Sequence, residues 1–399
     1  MKSLTPKKHF FLLNSNIRIK KLGLVISLST FAFSIVSSVW AVYLKTFLNN
    51  DAYVGLMSSF LILVALASYF LIIPIIERSD KFKLTVLTLF IISISYLIYY
   101  FVENLFLLII VSTFMTVFIT VFISAKGILI KDNSSRKKLS KNEGLVYTLY
   151  NTAFIIGPLI GSLIIFYFGI RYVFIFIPFI LLLSVSFLKS LRVKHGEVKK
   201  KLDSNVFKNF LDFFKSRDRV YAYLLGSGVN FWWSLVYIYF PLLIVKELSN
   251  EWIGIFLAVI PIPLVLFEYK FGIIAGKKGY KKIFFIGFLI PALLAFFCFV
   301  FFNLWFIVSA LIIASIGLAM TESTTESYFF DISKGKEDQR FYSPYNTAID
   351  FGSLLGHAIP AVILIFFDFK YIFLVYSFGM MILALLSLTM KDIIESRRK

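Results

Sequence analysis

The sequence predicts an all-α protein that crosses a membrane twelve times, built as two related halves of six helices. Three observations predict it. Hydrophobic residues make up 59% of the 399 residues, against about 45–50% in a soluble domain. They gather in successive runs, many reaching the ~20 residues that a helix needs to cross a bilayer. The second half of the chain also repeats landmarks of the first. A transmembrane barrel would read as ~10-residue alternating segments, which these runs are not.

The spans fall at 22–47, 52–76, 83–102, 105–130, 144–168, 171–191, 220–246, 252–275, 282–301, 304–330, 343–367 and 370–390. The basic segment before the first, MKSLTPKKHFFLLNSNIRIKK, precedes a run longer than the ~7–15-residue core of a signal peptide. A retained cytoplasmic tail is expected. With that end inside, only Lys45, Arg171, Lys246 and Lys370 of the 41 Lys and Arg fall outside, while Lys126 and Lys270 lie within spans. This is the positive-inside asymmetry, and it places both termini in the cytoplasm of a plasma-membrane protein. The net charge of +19 then meets anionic lipid, not nucleic acid. Cys298 is the single cysteine, so a disulfide framework and a cysteine metal cluster are excluded. No cofactor or metal is expected. Residues 192–219 form a central cytoplasmic loop between the halves 1–191 and 220–399. Within it, FKNFLDFF reads as a short amphipathic helix at the interface.

Three ordered pairs carry the repeat. YNTAFIIGPLIG starts at Tyr150 in the fifth span, and YNTAIDFGSLLG starts 195 residues later at Tyr345 in the eleventh. IPIIERSDKFK from Ile73 pairs with GIIAGKKGYKK from Gly272, and FGIRYVF around Gly169 pairs with FDFKYIF around Asp368. Duplication of a six-helix unit accounts for all three. A fourth pairing links Ser27, Thr30, Ser34 and Ser37 of span 1 to Ser227, Asn230, Ser234 and Tyr237 of span 7, with Tyr223 extending the second set. Each set forms one helical face. Lipid offers such a face no partner, so the matched stripes predict a shared polar cavity. Thr116 and Thr120 of span 4 and Ser315 and Glu322 of span 10 add to its lining, and Trp233 offers an aromatic wall to a cation. The competing reading is hydrogen bonding and close packing between helices.

Ionisable groups cost roughly 2.5–3.5 kcal/mol each within a bilayer on insertion scales, which singles out Lys126, Glu268, Glu322, Glu326, Asp350 and His357. Glu322 and Glu326 stand four apart on one face. Two such carboxylates resist joint ionisation, which suits a proton carrier or a cation receptor. On span 11, Asn346, Asp350, Ser353 and His357 face one way and Gly352 and Gly356 another. Asp350 and His357 are two turns apart. They make a proton relay only through a water or a third group, and a buried hydrogen-bonded tie is the alternative. Lys126 is expected to snorkel to the interface.

Taken together, the spans, repeat and stripes resemble the major facilitator superfamily of secondary transporters over essentially the whole chain. The resemblance implies a monomeric transporter, not an enzyme. Helices 1, 4, 7 and 10 would line a central cavity, with alternating access by rocking of the two bundles. The family's loop signature after helix 2 is matched in kind by Glu77, Arg78, Lys81 and Lys83, while Ile73 and Asp80 stand in place of its glycines. After helix 8, Gly272, Lys277, Gly279 and Lys282 match and Gly276 and Tyr280 depart. These residues imply a cytoplasmic charge latch, joined by Glu268; retention of bases inside by topology alone is the alternative. In the fifth helix, Gly144, Ala153, Gly157, Pro158, Gly161 and Ser162 occupy the positions of the antiporter packing signature, which leans towards export. Gly352 and Gly356 repeat the packing role of Gly157 and Gly161 in the second half. The family's helix-4 arginine is absent, which leaves the coupling ion open.

The expectation is a transporter of a small organic solute, cationic or neutral and partly apolar, coupled to protons and set in membrane lipid. An importer of a sugar or amino acid is the alternative within the class. From other classes come a receptor or scaffold and a membrane-embedded lipid enzyme. For the enzyme the chain offers no phosphate-binding glycine loop, histidine cluster or nucleophile elbow.

Overall fold

Peptide groups in hydrocarbon must find each other, and a helix does this within one segment. The computed structural model describes residues 6–133, 139–191, 206–333 and 336–391. All its regular elements among these are helical. The first half comprises α1 (Pro6–Leu48), α2 (Asp51–Arg78), α3 (Lys81–Phe101), α4 (Leu105–Asn133), α5 (Leu139–Phe168) and α6 (Val173–Ser190). A short helix, α7 (Val206–Phe214), follows. The second half comprises α8 (Arg217–Ser234), a π-helical stretch Leu235–Tyr239, α9 (Phe240–Glu247), α10 (Trp252–Val259), α11 (Ile262–Lys278), α12 (Tyr280–Val300), α13 (Leu304–Ile332), α14 (Lys336–Phe366) and α15 (Tyr371–Ser387). Eleven helices among the described residues are long and apolar enough to cross a membrane, and Tyr371–Ser387 is a shorter apolar helix in the place of the twelfth.

Two spans differ from their expected form. The seventh is continuous from Arg217 to Glu247 but changes to π geometry across Leu235–Tyr239. The eighth, expected unbroken, is interrupted at Ile260 and Pro261 between α10 and α11. Pro261 and Pro263 each lack the N–H that would continue the ladder.

The helix starts show how repeated loops reached different solutions. Asp80, at φ −67 and ψ 114, caps α3 by accepting from the amides of Phe82 at 2.9 Å and Lys83 at 3.2 Å. The equivalent turn in the second half runs through Gly279 at φ 94, a conformation that side chains resist. Asp80 therefore replaces a family glycine by a capping side chain on an ordinary backbone.

By their internal contacts the residues form two units. One is Met1–Ser37 with Ala67–Asp203, the other Ser38–Leu66 with Ser204–Lys399. In the first, α3 packs on α4 and α6, and Ile72, Ile76 and Val121 form a buried cluster. Ser34 Oγ donates to the Ala153 carbonyl at 2.8 Å, and Gly157 leaves the room that Ser34 fills. In the second, α12 packs on α13 and α15, and α8 packs on α13, α14 and α15. Gly352 lies against the Ser227 carbonyl and Gly356 against Ser234, so α14 and α8 meet nearly backbone to backbone.

This contact gives a stability test. A Cβ at Gly352 would run into the Ser227 backbone, whereas one at Gly127 of α4 meets nothing within 4 Å. Gly352→Ala should destabilise by about 1–3 kcal/mol through overpacking. Gly127→Ala should be neutral or gain up to ~1 kcal/mol from helix propensity. Thermal unfolding of the two variants in one detergent measures the difference, and equal melting temperatures would contradict the close seam.

Candidate functional site

Span 7 sorts its polar residues onto two faces. Ser227 and Ser234 are buried towards α14 and bond the backbone of their own helix, Ser227 to Leu224 and Ser234 to Asn230. Half-buried Asn230 borders that face, and Trp233 and Tyr237 are half-buried on another. There Trp233 Nε1 donates to Glu322 Oε2 of α13 at 3.2 Å. The Trp233 and Tyr237 rings are 5.7 Å apart. Glu268 of α11 and Tyr237 both lie within electrostatic range of Glu322. Two carboxylates, an indole and a phenol thus converge from α8, the π stretch, α11 and α13. Carboxylates and electron-rich ring faces attract a cation, and two close carboxylates favour the uptake of a proton by one of them.

Other predicted residues belong elsewhere. Ser34 is buried at the α1–α5 contact, where it donates to the Ala153 carbonyl. Tyr223 is likewise a joint residue: its hydroxyl is 3.3 Å from Thr347 Oγ1, and its ring meets Phe213, Phe214 and Phe351. Thr120 is buried and donates to the Thr116 carbonyl, while half-buried Thr116 donates to that of Ser112. Ser and Thr on a helix can meet their own need in this way, so hydroxyl spacing alone does not mark a cavity.

Glu322 and Glu326 part company. Glu326 Oε1 accepts from Tyr342 of α14 at 2.8 Å, while Glu322 turns to Trp233. Glu268, expected at the latch, stands near Glu322. Asp350 is half-buried in the neighbourhood of Tyr223. His357 is buried and hydrogen-bonded to the Ser58 backbone, with its Nδ1 lacking a described partner. The two therefore keep different neighbours. Lys126, expected to snorkel, holds its ammonium over the rings of Tyr150 at 4.7 Å and Phe122 at 5.2 Å.

The family model for the Major Facilitator Superfamily matches residues 22–267 and 223–398. The chain belongs to the major facilitator superfamily. No curated protein sequence matches it. Among solved structures, a POT family transporter in complex with 5-aminolevulinic acid is similar at 13% identity and a TM-score of 0.74, over 92% of this chain and 94% of that one. The peptide transporter POT in complex with sulfate is similar at 11% identity and 0.73, over 93% of each chain. A bacterial homologue of the human lysosomal transporter Spinster, in an inward-facing and unoccupied conformation, is similar at 14% identity and 0.69, over 97% and 95%. At these identities the likeness is one of fold.

The bases of the superfamily's loop signature differ in burial here. Lys81 is buried and donates to the Ser79 carbonyl at 3.0 Å, while Arg78 and Lys83 are exposed. Glu77 lies outside the described side chains, as does Gly144 of the antiporter signature. In the second loop, Lys277 is exposed, Gly272 half-buried and Gly279 turns the chain. Tyr280 ties the start of α12 to Asp331 at 2.8 Å. Pro158 lies inside α5, beside buried Gly157 and Gly161.

A second charged cluster lies at the end of the spans that is poor in Lys and Arg, and sequence reasoning gave it no role. Asp51, 8% exposed, pairs with Lys45 at 2.9 Å and also with Lys246. Lys246 lies over the Phe369 ring at 4.7 Å. Nearby, Gly55 admits the Tyr239 hydroxyl, which donates to the His357 carbonyl. One signal was available: Lys45 and Lys246 occupy equivalent ends of spans 1 and 7 and are two of the four bases assigned outside. Asp51→Asn removes the anion from two lysines and should lower stability by about 1–3 kcal/mol. Lys246→Met leaves the Lys45 pair intact and should cost less. Melting temperatures of the two variants test this order, and an Asp51→Asn protein as stable as the parent would remove the cluster's structural role.

Proposed function

We propose that this superfamily member is a secondary active transporter of a small organic cation, or of a neutral and partly apolar solute, driven by exchange with protons. The meeting of Glu322 with Trp233, beside Tyr237 and Glu268, carries the proposal. A cationic solute and a proton are interchangeable ligands for such a site: either one relieves the repulsion between the carboxylates, and the rings favour the organic ion. Exchange on one carboxylate couples the two fluxes without a second proton pathway. Glu326, Asp350 and His357 remain candidates for proton movement, and Asn230 for solute binding. Export is supported by the antiporter-like run around Pro158 in α5. The positive-inside pattern supports cytoplasmic termini in a plasma membrane, with the basic loops as the cytoplasmic latch. A monomer suffices, since α8, α11 and α13 of one chain supply the site.

Transport by purified protein in vesicles, with and without an imposed pH gradient, tests the coupling. Efflux of an organic cation should rise with inward proton flow, and no response to the gradient would overturn the proton claim. Glu322→Gln should abolish coupled transport while retaining a folded protein. Asn230→Ala should weaken solute binding by about 1–3 kcal/mol, the cost of a lost buried hydrogen bond. Near-normal transport by Glu322→Gln would eliminate that carboxylate from the mechanism.

A further inference from the structure

The structure assigns α7 a second partner besides the protein: we infer that its outer face lies on an anionic lipid leaflet. One face of α7 is committed to the bundle. Phe213 is fully buried, with ring centroids at 6.0 Å from Tyr223, 6.4 Å from Phe329 and 6.0 Å from Phe341. Arg219 donates to the Phe213 carbonyl at 3.0 Å and the Asp212 carbonyl at 2.8 Å, which satisfies the helix's C-terminal acceptors. On a third side, Arg340 of α14 donates to Asn209 Oδ1 at 2.8 Å and pairs with Asp212. The Lys215 hydrogen bond to Asp212, with Arg340 beside it, holds that carboxyl below its ordinary range, so the clamp is charged at neutral pH. The helix cannot roll to hide its remaining face without breaking these contacts.

That remaining face is apolar and open. Phe207, Leu211 and Phe214 are spaced four and three apart, on one side of the helix, and are 62%, 54% and 46% exposed. The place explains the pattern. Phe213 meets the first turns of α8, the last turn of α13 and the point where α14 enters its apolar run, so α7 lies where three spans leave the hydrocarbon zone. Lys208 and Lys215 border the stripe, the Lys215 side chain being 74% exposed, and the sequence just before α7 reads RVKHGEVKKK. An acidic macromolecule would engage the bases but leave the stripe in water. A neutral bilayer would accept the stripe but gain nothing from the bases. An anionic leaflet uses both. Because α7 also holds Arg340, a leaflet that fixes α7 fixes the base of α14.

The test uses the whole chain reconstituted in vesicles. Its one native thiol, Cys298, is 1% exposed, so Leu211→Cys can be labelled selectively with an environment-sensitive fluorophore. The vesicles are phosphatidylcholine alone, or phosphatidylcholine with about one-third phosphatidylglycerol, each carrying a lipid with a nitroxide headgroup. Quenching should be several-fold stronger with phosphatidylglycerol, and the difference should vanish near ~0.5 M salt as surface charge is screened. Lys208→Gln and Lys215→Gln should each weaken the preference by roughly fivefold, the effect of about one charge at such a surface. A label unquenched in both vesicles would show the stripe to be covered by protein, whether another segment of this chain or a second copy. Equal quenching in both would show that charge plays no part. Either result overturns the proposal.

Discussion

The acidic site depends on how closely α14 lies on α8. Gly352 meets the Ser227 backbone directly, and at Gly356 only the small Ser234 side chain lies between the two helices. Once one side of α8 is fixed in this way, its rotation about its own axis is fixed too. Trp233 then lies off that seam and comes within hydrogen-bond reach of Glu322. In hydrocarbon there is little hydrophobic force to drive helices together, so small residues at the seam matter more than bulky apolar ones. The two glycines of the second YNTA copy thus orient the helix whose indole meets a carboxylate on α13.

The same economy explains which parts of the site were legible in the sequence. The apolar runs follow from where apolar residues are allowed, and the helical membrane fold they predict agrees with the structure. Glu322 and Trp233 were legible because a carboxylate and an indole N–H inside a membrane need partners. The hydroxyl stripe was not. A serine or threonine on a helix can bond a carbonyl of its own preceding turn, as Thr116, Thr120, Ser227 and Ser234 do, and then asks nothing of its surroundings. Nor could periodicity foresee that Glu322 and Glu326, on one helical face, would turn to Trp233 and Tyr342. That choice is made by the neighbouring helices, α8 and α14.

Charged residues near the ends of spans show a similar division. Asp51 collects Lys45 from the helix before it and Lys246 from far along the chain. Asp212 collects Lys215 from its own neighbourhood and Arg340 from α14. In both, a local base accompanies a distant one, so a single acid joins segments remote in sequence. Only the local half of each pairing is visible from spacing.

The π-helical stretch Leu235–Tyr239 has a consequence for the repeat itself. Before it, span 7 follows span 1 at a separation of 200 residues, as Ser27 with Ser227 and Ser34 with Ser234; beyond it, Lys45 and Lys246 are 201 apart. A π bulge is the form a helix takes when one residue is inserted and the ladder on either side is kept. The copy in α1 has no such bulge. The extra residue is absorbed within a turn, and everything beyond is rotated by about 100° relative to an uninterrupted helix. The bulge therefore keeps the far ends of spans 1 and 7 in phase although their residue counts differ by one. With that turn Lys246 meets Asp51; without it, the same lysine would point along another side of the span.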